Sequence, residues 1–299
     1  MARAPRVDRS LRSQLLTAVA GHPDGTAPYV LELAEGDDAG YFAEGSATWV
    51  VHAGMGTFVA GIRALLMQAL HPGAMAGVHD WSRYREDPIG RLSGTVRWIV
   101  TLTFGSTSQA RRELGRVGRF HTRVAGDYTA TDGSTRGYTA TDRELVDWVH
   151  VAFADSFLTC HEAWGGPIPG GVDAYVHDWA TAGRLMGVAD PPLTAEGLRA
   201  RRDGYLADGA LRGDERVADV VRFLRRPPFT GRLGVAYRLL FAAAVSTIPA
   251  PYRRMLGLRR SMLPVRIMTR VALVAAQRAI GSGPRAQDFA RQRLRRLGL

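Results

Sequence analysis

Histidine side chains are the strongest candidates for chemistry in this chain of 299 residues, which contains eight of them. His121 lies on the apolar stripe of a predicted helix, with neighbours spaced three and four apart: Leu114, Val117 and Val124. Gly118 precedes His121 by about one helical turn. A neutral imidazole binds iron axially, and a glycine one turn away leaves room for a planar macrocycle. The same placement is typical of a hydrogen-bonded core histidine, so the spacing alone leaves both interpretations open.

Arg91 and Thr95 are four residues apart in a second predicted helix, which Asp87-Pro88 opens and Phe104-Gly105 closes. Residues four apart share a helix face. Together they present a cation and a hydroxyl to a bound acid group or an oxygen species. The alternative is a surface arginine above a threonine.

His150 is a reserve candidate for the same kind of site. It follows Thr141-Asp142-Arg143-Glu144, which has the pattern of a capping box and predicts the start of another helix. Its helical neighbours are apolar: Val146, Phe153 and Phe157. His150 is therefore either a core histidine or a second residue lining a pocket.

Several catalytic classes are excluded by composition and motif. All 39 basic residues are arginines, so a lysine Schiff base is excluded. Cys160 is the single cysteine, which excludes an internal disulfide and a CxxC zinc site. The chain has no Glu-x-x-His pair of the di-iron bundles, and no HExxH, P-loop or GxSxG motif.

The elements that must position these side chains are helical almost throughout. Ala47–Leu70 is predicted to be one long apolar helix that includes Gly54-Met55-Gly56 and ends at His71-Pro72. Further helices are predicted at 108–126, 141–163, 172–186, 194–208, 216–224, 233–247 and 264–280. A repeated Tyr-Thr-Ala-Thr-Asp flanks Asp132-Gly133 and predicts a short β-hairpin near 127–141. The expected fold is all-α, a single helical bundle-like domain with one hairpin.

The net charge of +11 lies in the last part of the chain. Residues 253–299 contain twelve arginines and one acid, Asp288, whereas the preceding part is neutral. We therefore divide the chain into a helical lead-in (1–44), a core (45–252) and an arginine-rich helical extension packed on the core (253–299). Phe289 is the only aromatic residue in the extension, which disfavours nucleic acid as a partner because base stacking needs aromatics.

The extension contains one amphipathic segment after Pro264. Its apolar residues share one side of the predicted helix: Ile267, Val271, Val274 and Ala275. We expect this helix to complete the bundle and 285–299 to form a solvated face. The alternative is peripheral contact of 253–299 with an anionic membrane.

Apolar stretches are well short of the roughly 20 residues that a membrane-spanning helix needs. The first 21 residues have only a short apolar run, Leu15–Ala20, below the length of a signal-peptide core. We read this region as an ordinary amphipathic first helix and expect a cytoplasmic protein.

Several motifs follow one another in an order and spacing that resemble a known family. They are Ala64-Leu65-Leu66-Met67-Gln68-Ala69-Leu70-His71-Pro72, Gly77-Val78-His79-Asp80-Trp81-Ser82, Asp87-Pro88-Ile89-Gly90-Arg91-Leu92 with Thr95, Phe104-Gly105, Phe120-His121-Thr122-Arg123-Val124-Ala125-Gly126, and Tyr138-Thr139-Ala140-Thr141-Asp142 with Leu145 and Trp148-Val149-His150. The chain is similar, over roughly residues 45 to 270, to the MpaB-type oxygenase family, which shares its catalytic domain with the latex-clearing rubber oxygenases.

The resemblance implies an α-helical fold that encloses one haem b, with a histidine as the proximal iron ligand. His121 matches that ligand, and Arg91 and Thr95 match the arginine and threonine beside the haem. Gly118 and His150 are the further cofactor-binding candidates. In the latex-clearing enzymes a lysine precedes the threonine and can occupy the sixth iron position, whereas this chain has Gly94. Their proposed catalytic base has no clear counterpart, although Asp80, Glu86 and Asp87 are nearby.

The activity that follows from the resemblance is that of a haem-dependent oxygenase, an oxidoreductase that uses O₂ to cleave a carbon–carbon double bond. Because no export signal is visible, a small apolar olefin such as an intracellular isoprenoid is expected rather than a polymer. The alternative is a non-catalytic haem- or lipid-binding protein. The sequence leaves the oligomeric state open.

Overall fold

The computed structural model describes residues 27–82, 85–227, 229, 231–280 and 285–299, without the side chains of 88, 89, 279 and 280. The predicted first helix lies outside these residues. In the described part, the chain forms α1 (Pro28–Leu31), a 3-10 turn (Glu32–Ala34), α2 (Ala47–Ala53), α3 (Thr57–Gln68), α4 (Pro72–Trp81), α5 (Pro88–Phe104), α6 (Thr107–His121), β1 (Ala125–Thr129), β2 (Thr135–Thr139), α7 (Arg143–Trp164), α8 (Gly171–Leu185), α9 (Ala195–Ala207), α10 (Glu215–Arg225), α11 (Gly231–Thr247), α12 (Ala250–Met255), α13 (Val265–Ile280) and α14 (Ala286–Leu297). The all-α prediction is confirmed.

Helices α3 and α7 form the centre of the core, and α9 and α11 pack around them. A buried charge cluster joins α3, α7 and α9: Asp155 contacts Arg63 at 2.7 Å and Arg202 at 2.8 Å. The two arginine charges lie against the same carboxylate, which makes its burial tolerable. The pairing therefore fixes three helices relative to one another.

The predicted single helix over Ala47–Leu70 is wrong. The chain instead bends by 94° between α2 and α3, at Gly54-Met55-Gly56. A Cβ on Gly56 would lie 3.2 Å from the carbonyl oxygen of Cys160, and one on Gly54 would lie 3.4 Å from His161 Nδ1. The glycines therefore allow the bend to pack closely against α7.

No single helix in the described ranges is long and apolar enough to cross a bilayer. Helices α2 and α3 taken together have the length and composition of a membrane-spanning segment, but they are bent relative to each other.

Two local predictions around the helix ends need correction. The capping box at Thr141–Glu144 is wrong, because α7 begins without a side-chain cap. The Asp142 carboxylate instead accepts from the backbone N–H and the hydroxyl of Thr139, at 2.8 and 2.6 Å. Pro72 does interrupt the helical run, and it then opens α4, which the sequence interpretation missed.

The predicted β-hairpin is confirmed. Strands β1 and β2 pair antiparallel, with Tyr128 opposite Arg136 and Gly126 opposite Tyr138. Tyr138 is buried in a small apolar cluster with Ala76 of α4 and Leu145 of α7. The hairpin is therefore anchored to the bundle at the end of α4.

The extension packs on the bundle, but its last helix differs from the prediction. Helix α14 is no solvated face, because it packs against α1, the 3-10 turn and α5 and buries Ala290, Arg293 and Leu294. Helix α13 packs on α11, but through its opposite side, which contains Val265, Thr269 and Leu273. The side with the apolar residues singled out in the sequence is exposed: Ile267, Val271, Val274 and Ala275.

Candidate functional site

Arg91 and Thr95 are in contact on α5. The Arg91 Nη1 donates to Thr95 Oγ1 at 2.5 Å, and the Thr95 hydroxyl donates to the Arg91 carbonyl oxygen at 3.2 Å. The Nε of Arg91 donates to Ser82 Oγ at 3.2 Å, in the segment between α4 and α5. These bonds hold the guanidinium in one orientation, with further N–H donors still available.

Arg91 is an exposed residue, but protein atoms lie around its guanidinium. Surrounding protein atoms desolvate its guanidinium and thereby lower its pKa. Among the described residues, no carboxylate forms a salt bridge with it. A partly desolvated cation with no carboxylate partner in the described part of the chain is suited to pair with an anionic group of a ligand.

His121 is the last residue of α6 and lies close to Arg91. Its pKa is lowered by desolvation and then by the positive charge of Arg91. In the described part of the chain neither imidazole nitrogen has a hydrogen-bond partner, and the ring contacts Phe120. His121 is therefore a half-buried, neutral imidazole, the form that binds a metal.

The helix faces beside these residues border unfilled space. Leu114 and Val117 of α6 are only half-buried, and no residue from Arg91 to Val100 of α5 is fully buried. A Cβ on Gly118 or on Gly94 would meet no atom within 4 Å. Apolar faces that remain uncovered beside a neutral histidine are suited to a flat apolar ligand.

The relative position of α5 and α6 depends on Glu113, which sequence reasoning missed. Its buried carboxylate accepts from Arg97 of α5 at 3.1 Å and from Arg116 of α6 at 2.5 Å. The spacing of Glu113 and Arg116 was visible in the sequence. The pairing with Arg97 was not, because it joins two helices.

The β1–β2 hairpin helps to position Ser82, the other hydrogen-bond partner of Arg91. Tyr138 donates its hydroxyl hydrogen to Asp80 Oδ2 at 3.2 Å, and Trp81 Nε1 donates to the Ala125 carbonyl at 3.0 Å. Burial, followed by the charge of Asp80, raises the pKa of Tyr138 to about 12, so it stays a donor. These contacts fix the end of α4, immediately before Ser82.

His150 lies elsewhere, in the interface between α7 and α8. A Cβ on Gly183 would come within 2.9 Å of its ring, so the imidazole packs flat against that glycine. Desolvation, with a smaller effect of Arg201, lowers the pKa of His150 to about 4. Its Nδ1 has no partner among the described residues. The structure therefore brings His121, Arg91, Thr95 and the open position at Gly118 together and does not place His150 with them.

No group of three or more His, Cys, Asp or Glu side chains converges on a metal position in the ranges that the structure describes. A haem iron does not require such a group, since the porphyrin supplies four nitrogens and the protein one axial ligand.

One family profile matches most of the chain. Residues 48–279 match the family described as ER-bound oxygenase mpaB/B'/Rubber oxygenase, catalytic domain. Comparisons with curated proteins and with solved structures give no match. The matched range includes α5, α6 and the hairpin, and hence all the candidate site residues. The chain therefore belongs to the mpaB/rubber oxygenase catalytic domain family.

Proposed function

We propose that this protein is a haem b-dependent oxygenase that uses O₂ to cleave a small apolar olefin, such as an isoprenoid. The observation that carries this proposal is the neutral imidazole of His121, which hydrogen-bonds to no described residue, beside the guanidinium of Arg91, which forms no salt bridge with one. The family is one of oxygenases, which supports oxygen chemistry in general. The haem and the substrate are our inference from the residues.

The residues present fit a haem. His121 would hold the iron, and the open space at Gly118 would admit the macrocycle beside α6. Arg91 would pair with an acid group of the bound cofactor, which its partial desolvation and the lack of a described carboxylate partner favour. When bound, haem supplies the redox-active iron at which O₂ is activated.

The residues of the chain would orient the bound group and shield the substrate from water. Thr95 and Ser82 fix the direction of the Arg91 guanidinium, and Glu113 fixes α6 against α5. The exposed Leu92 and the half-buried Val96 and Ile99 of α5 would present a surface to an apolar substrate and exclude water from it. Gly94 provides no amine at the position where the resemblance expects lysine.

Activity separates the proposed enzyme from a non-catalytic haem- or lipid-binding protein. The intact protein, loaded with hemin and reduced, is incubated with an isoprenoid olefin in air and under argon. We expect carbonyl products, detected by mass spectrometry, in air alone. Haem binding without an oxygen-dependent product from any of a panel of olefins would favour the binding protein.

Gly118→Ala is expected to stabilise the haem-free protein and to weaken haem binding. The new methyl group has no described side chain or neighbouring element within 4 Å, and replacing a helical glycine by alanine contributes about 0.5–1 kcal/mol to the free energy of unfolding. The same methyl group would occupy space that the macrocycle needs. Urea unfolding and hemin titration measure the two effects.

Gly204→Ala in α9 is the matched control, because a Cβ there also meets nothing within 4 Å. It should give a similar stabilisation with unchanged hemin affinity. Equal hemin affinity in the two variants would remove Gly118 from the proposed site.

Arg91→Gln is expected to lower haem retention and turnover, because glutamine keeps hydrogen-bonding groups but removes the charge that pairs with an acid group. Arg112→Gln is the control, since Arg112 is exposed on α6 and such surface changes usually alter stability by less than about 0.5 kcal/mol. Haem content after gel filtration and product formation are measured for both. Equal haem content and product formation in the two variants would show that Arg91 is an ordinary surface arginine.

A further inference from the structure

Helix α13 and the residues before it carry an exposed apolar surface. Within thirteen residues, six large apolar side chains are exposed: Met262, Leu263, Ile267, Met268, Val271 and Val274. Met262 is fully exposed, and Ile267 and Val271 are 68% and 65% exposed. Scattered exposed apolar residues are ordinary, but a contiguous group of this kind marks an interaction surface. We call these six residues the α13 stripe.

The α13 stripe points away from the protein. Val265, Thr269 and Leu273 form the buried side of α13, which packs on α11. At 100° per residue, Ile267 and Val271 lie on the opposite side of the helix. The exposure is therefore a property of how the helix is docked, and a flat apolar environment can reach the stripe without any change of fold.

Arginines surround the α13 stripe. Five lie between residues 259 and 278, and no acid occurs from 253 to 287: Arg259, Arg260, Arg266, Arg270 and Arg278. Arg270 also donates to the Ala163 carbonyl at 3.0 Å, which ties α13 to the end of α7. An apolar stripe flanked by arginines has the composition of a helix that lies in the plane of an anionic bilayer surface.

A cleft of about 730 Å³ adjoins the α13 stripe. Its floor is apolar and includes the buried Phe241, Val245 and Leu258, whereas its rim carries four arginines. The rim arginines have no carboxylate partner among the described residues: Arg225, Arg226, Arg238 and Arg259. Ser261 lines the same cleft and directly precedes Met262 of the stripe. The cleft can therefore take a phosphate headgroup at the edge of the apolar surface.

We infer that the α13 stripe and the adjoining arginine-lined cleft form a docking surface for an anionic lipid bilayer. The stripe would enter the boundary between headgroups and acyl chains, and the rim arginines would contact lipid phosphates. A second copy of the chain is disfavoured as the occupant, because it would bring the same arginines together. Residues 1–26 are disfavoured as well, because they contain four arginines and two acids and offer no excess of negative charge.

Helix α14 is not part of this surface, although it contains four of the extension's twelve arginines. It is docked on the bundle through Ala290, Arg293 and Leu294. Deleting it would expose the core, so point variants on exposed residues provide the cleaner test.

The first test removes the apolar contribution and keeps the charge. The intact chain is sedimented with vesicles of phosphatidylcholine, with or without about 30% phosphatidylglycerol. We expect binding to the anionic vesicles that weakens with salt, and loss of most of it in the triple variant Ile267→Ser, Val271→Ser, Val274→Ser. The control replaces three exposed leucines elsewhere and should bind like the parent protein: Leu31→Ser, Leu193→Ser and Leu299→Ser.

The second test removes charge and keeps the apolar residues. Arg259→Gln, Arg260→Gln and Arg266→Gln together should lower the partition coefficient roughly a hundredfold, since each basic residue near the surface contributes about a factor of five. The control removes the same net charge from exposed positions elsewhere: Arg112→Gln, Arg143→Gln and Arg184→Gln. It should change the partition coefficient much less.

Three outcomes would overturn the inference. The intact chain could fail to bind anionic vesicles, or the control triples could lose as much binding as the variants of the surface. The chain could also fail to bind vesicles and form a dimer in analytical ultracentrifugation. If the Ile267, Val271 and Val274 substitutions dissociated that dimer, the stripe would be the interface with a second copy instead. Circular dichroism of each variant shows that the helical fold is kept.

Discussion

Hemin titration of the His121→Ala variant is expected to end without a stoichiometric complex, while the protein remains helical and soluble. His121 is the last residue of α6, it is only half-buried, and its ring has no hydrogen bond among the described residues. Its removal therefore costs the fold little, whereas it takes away the side chain that we propose would hold the haem iron. The intact protein should titrate to one haem per chain, with a Soret band that the variant lacks.

Two other histidines serve as controls. His177→Ala changes an exposed residue of α8 and should leave haem binding and stability unchanged. His150→Ala removes a buried ring from the α7–α8 interface, so we expect a lower free energy of unfolding together with normal haem stoichiometry.

Rescue of haem binding by added imidazole distinguishes the loss of an iron ligand from damage to the fold. The His121→Gly variant should regain haem binding when imidazole is added, because the free base can take the place of the deleted side chain. Full haem content and an unchanged Soret band in the His121→Ala variant would contradict the assignment.

Signals that act within a few residues predicted the local elements around the site. Asp87-Pro88 marks the beginning of α5, and Asp87 caps it by accepting from Gly90. The Asp132-Gly133 turn lies between the two strands of the hairpin, as expected. The four-residue spacing of Arg91 and Thr95 also places them in contact. Each of these features depends on neighbours in the chain, so its information is contained in a short stretch of sequence.

Features that depend on distant partners could not be predicted in the same way. An apolar stripe shows that one side of a helix differs from the other, but not which side another helix covers. For α13 the less apolar side, with Thr269, is the one buried against α11. Glu113 likewise depends on Arg97 of another helix. The bend at Gly54–Gly56 depends on the approach of α7.

Arg293 of α14 shows most clearly how composition misleads about the extension. Twelve arginines in 253–299 suggest a solvated, basic segment. Yet the Arg293 side chain is fully buried and donates to the carbonyl oxygens of Leu33 and Phe104, at 2.8 and 2.9 Å, and more weakly to that of Ala39. It joins α14 to the N-terminal turn and to the end of α5. Desolvation lowers its pKa, with Asp38 opposing that shift.

Arg293→Ala is therefore expected to lower the free energy of unfolding by about 3 kcal/mol, because it leaves buried carbonyl oxygens without donors and opens a cavity. Arg295→Ala, two residues away on the exposed side of α14, should change it by less than about 0.5 kcal/mol. Urea unfolding followed by circular dichroism compares the two variants, which lose the same charge from the same helix. A pair of equal, small effects would show that α14 is held by Ala290 and Leu294 alone. The expected difference would show instead that this arginine ties the basic extension to α5, the helix that carries Arg91 and Thr95.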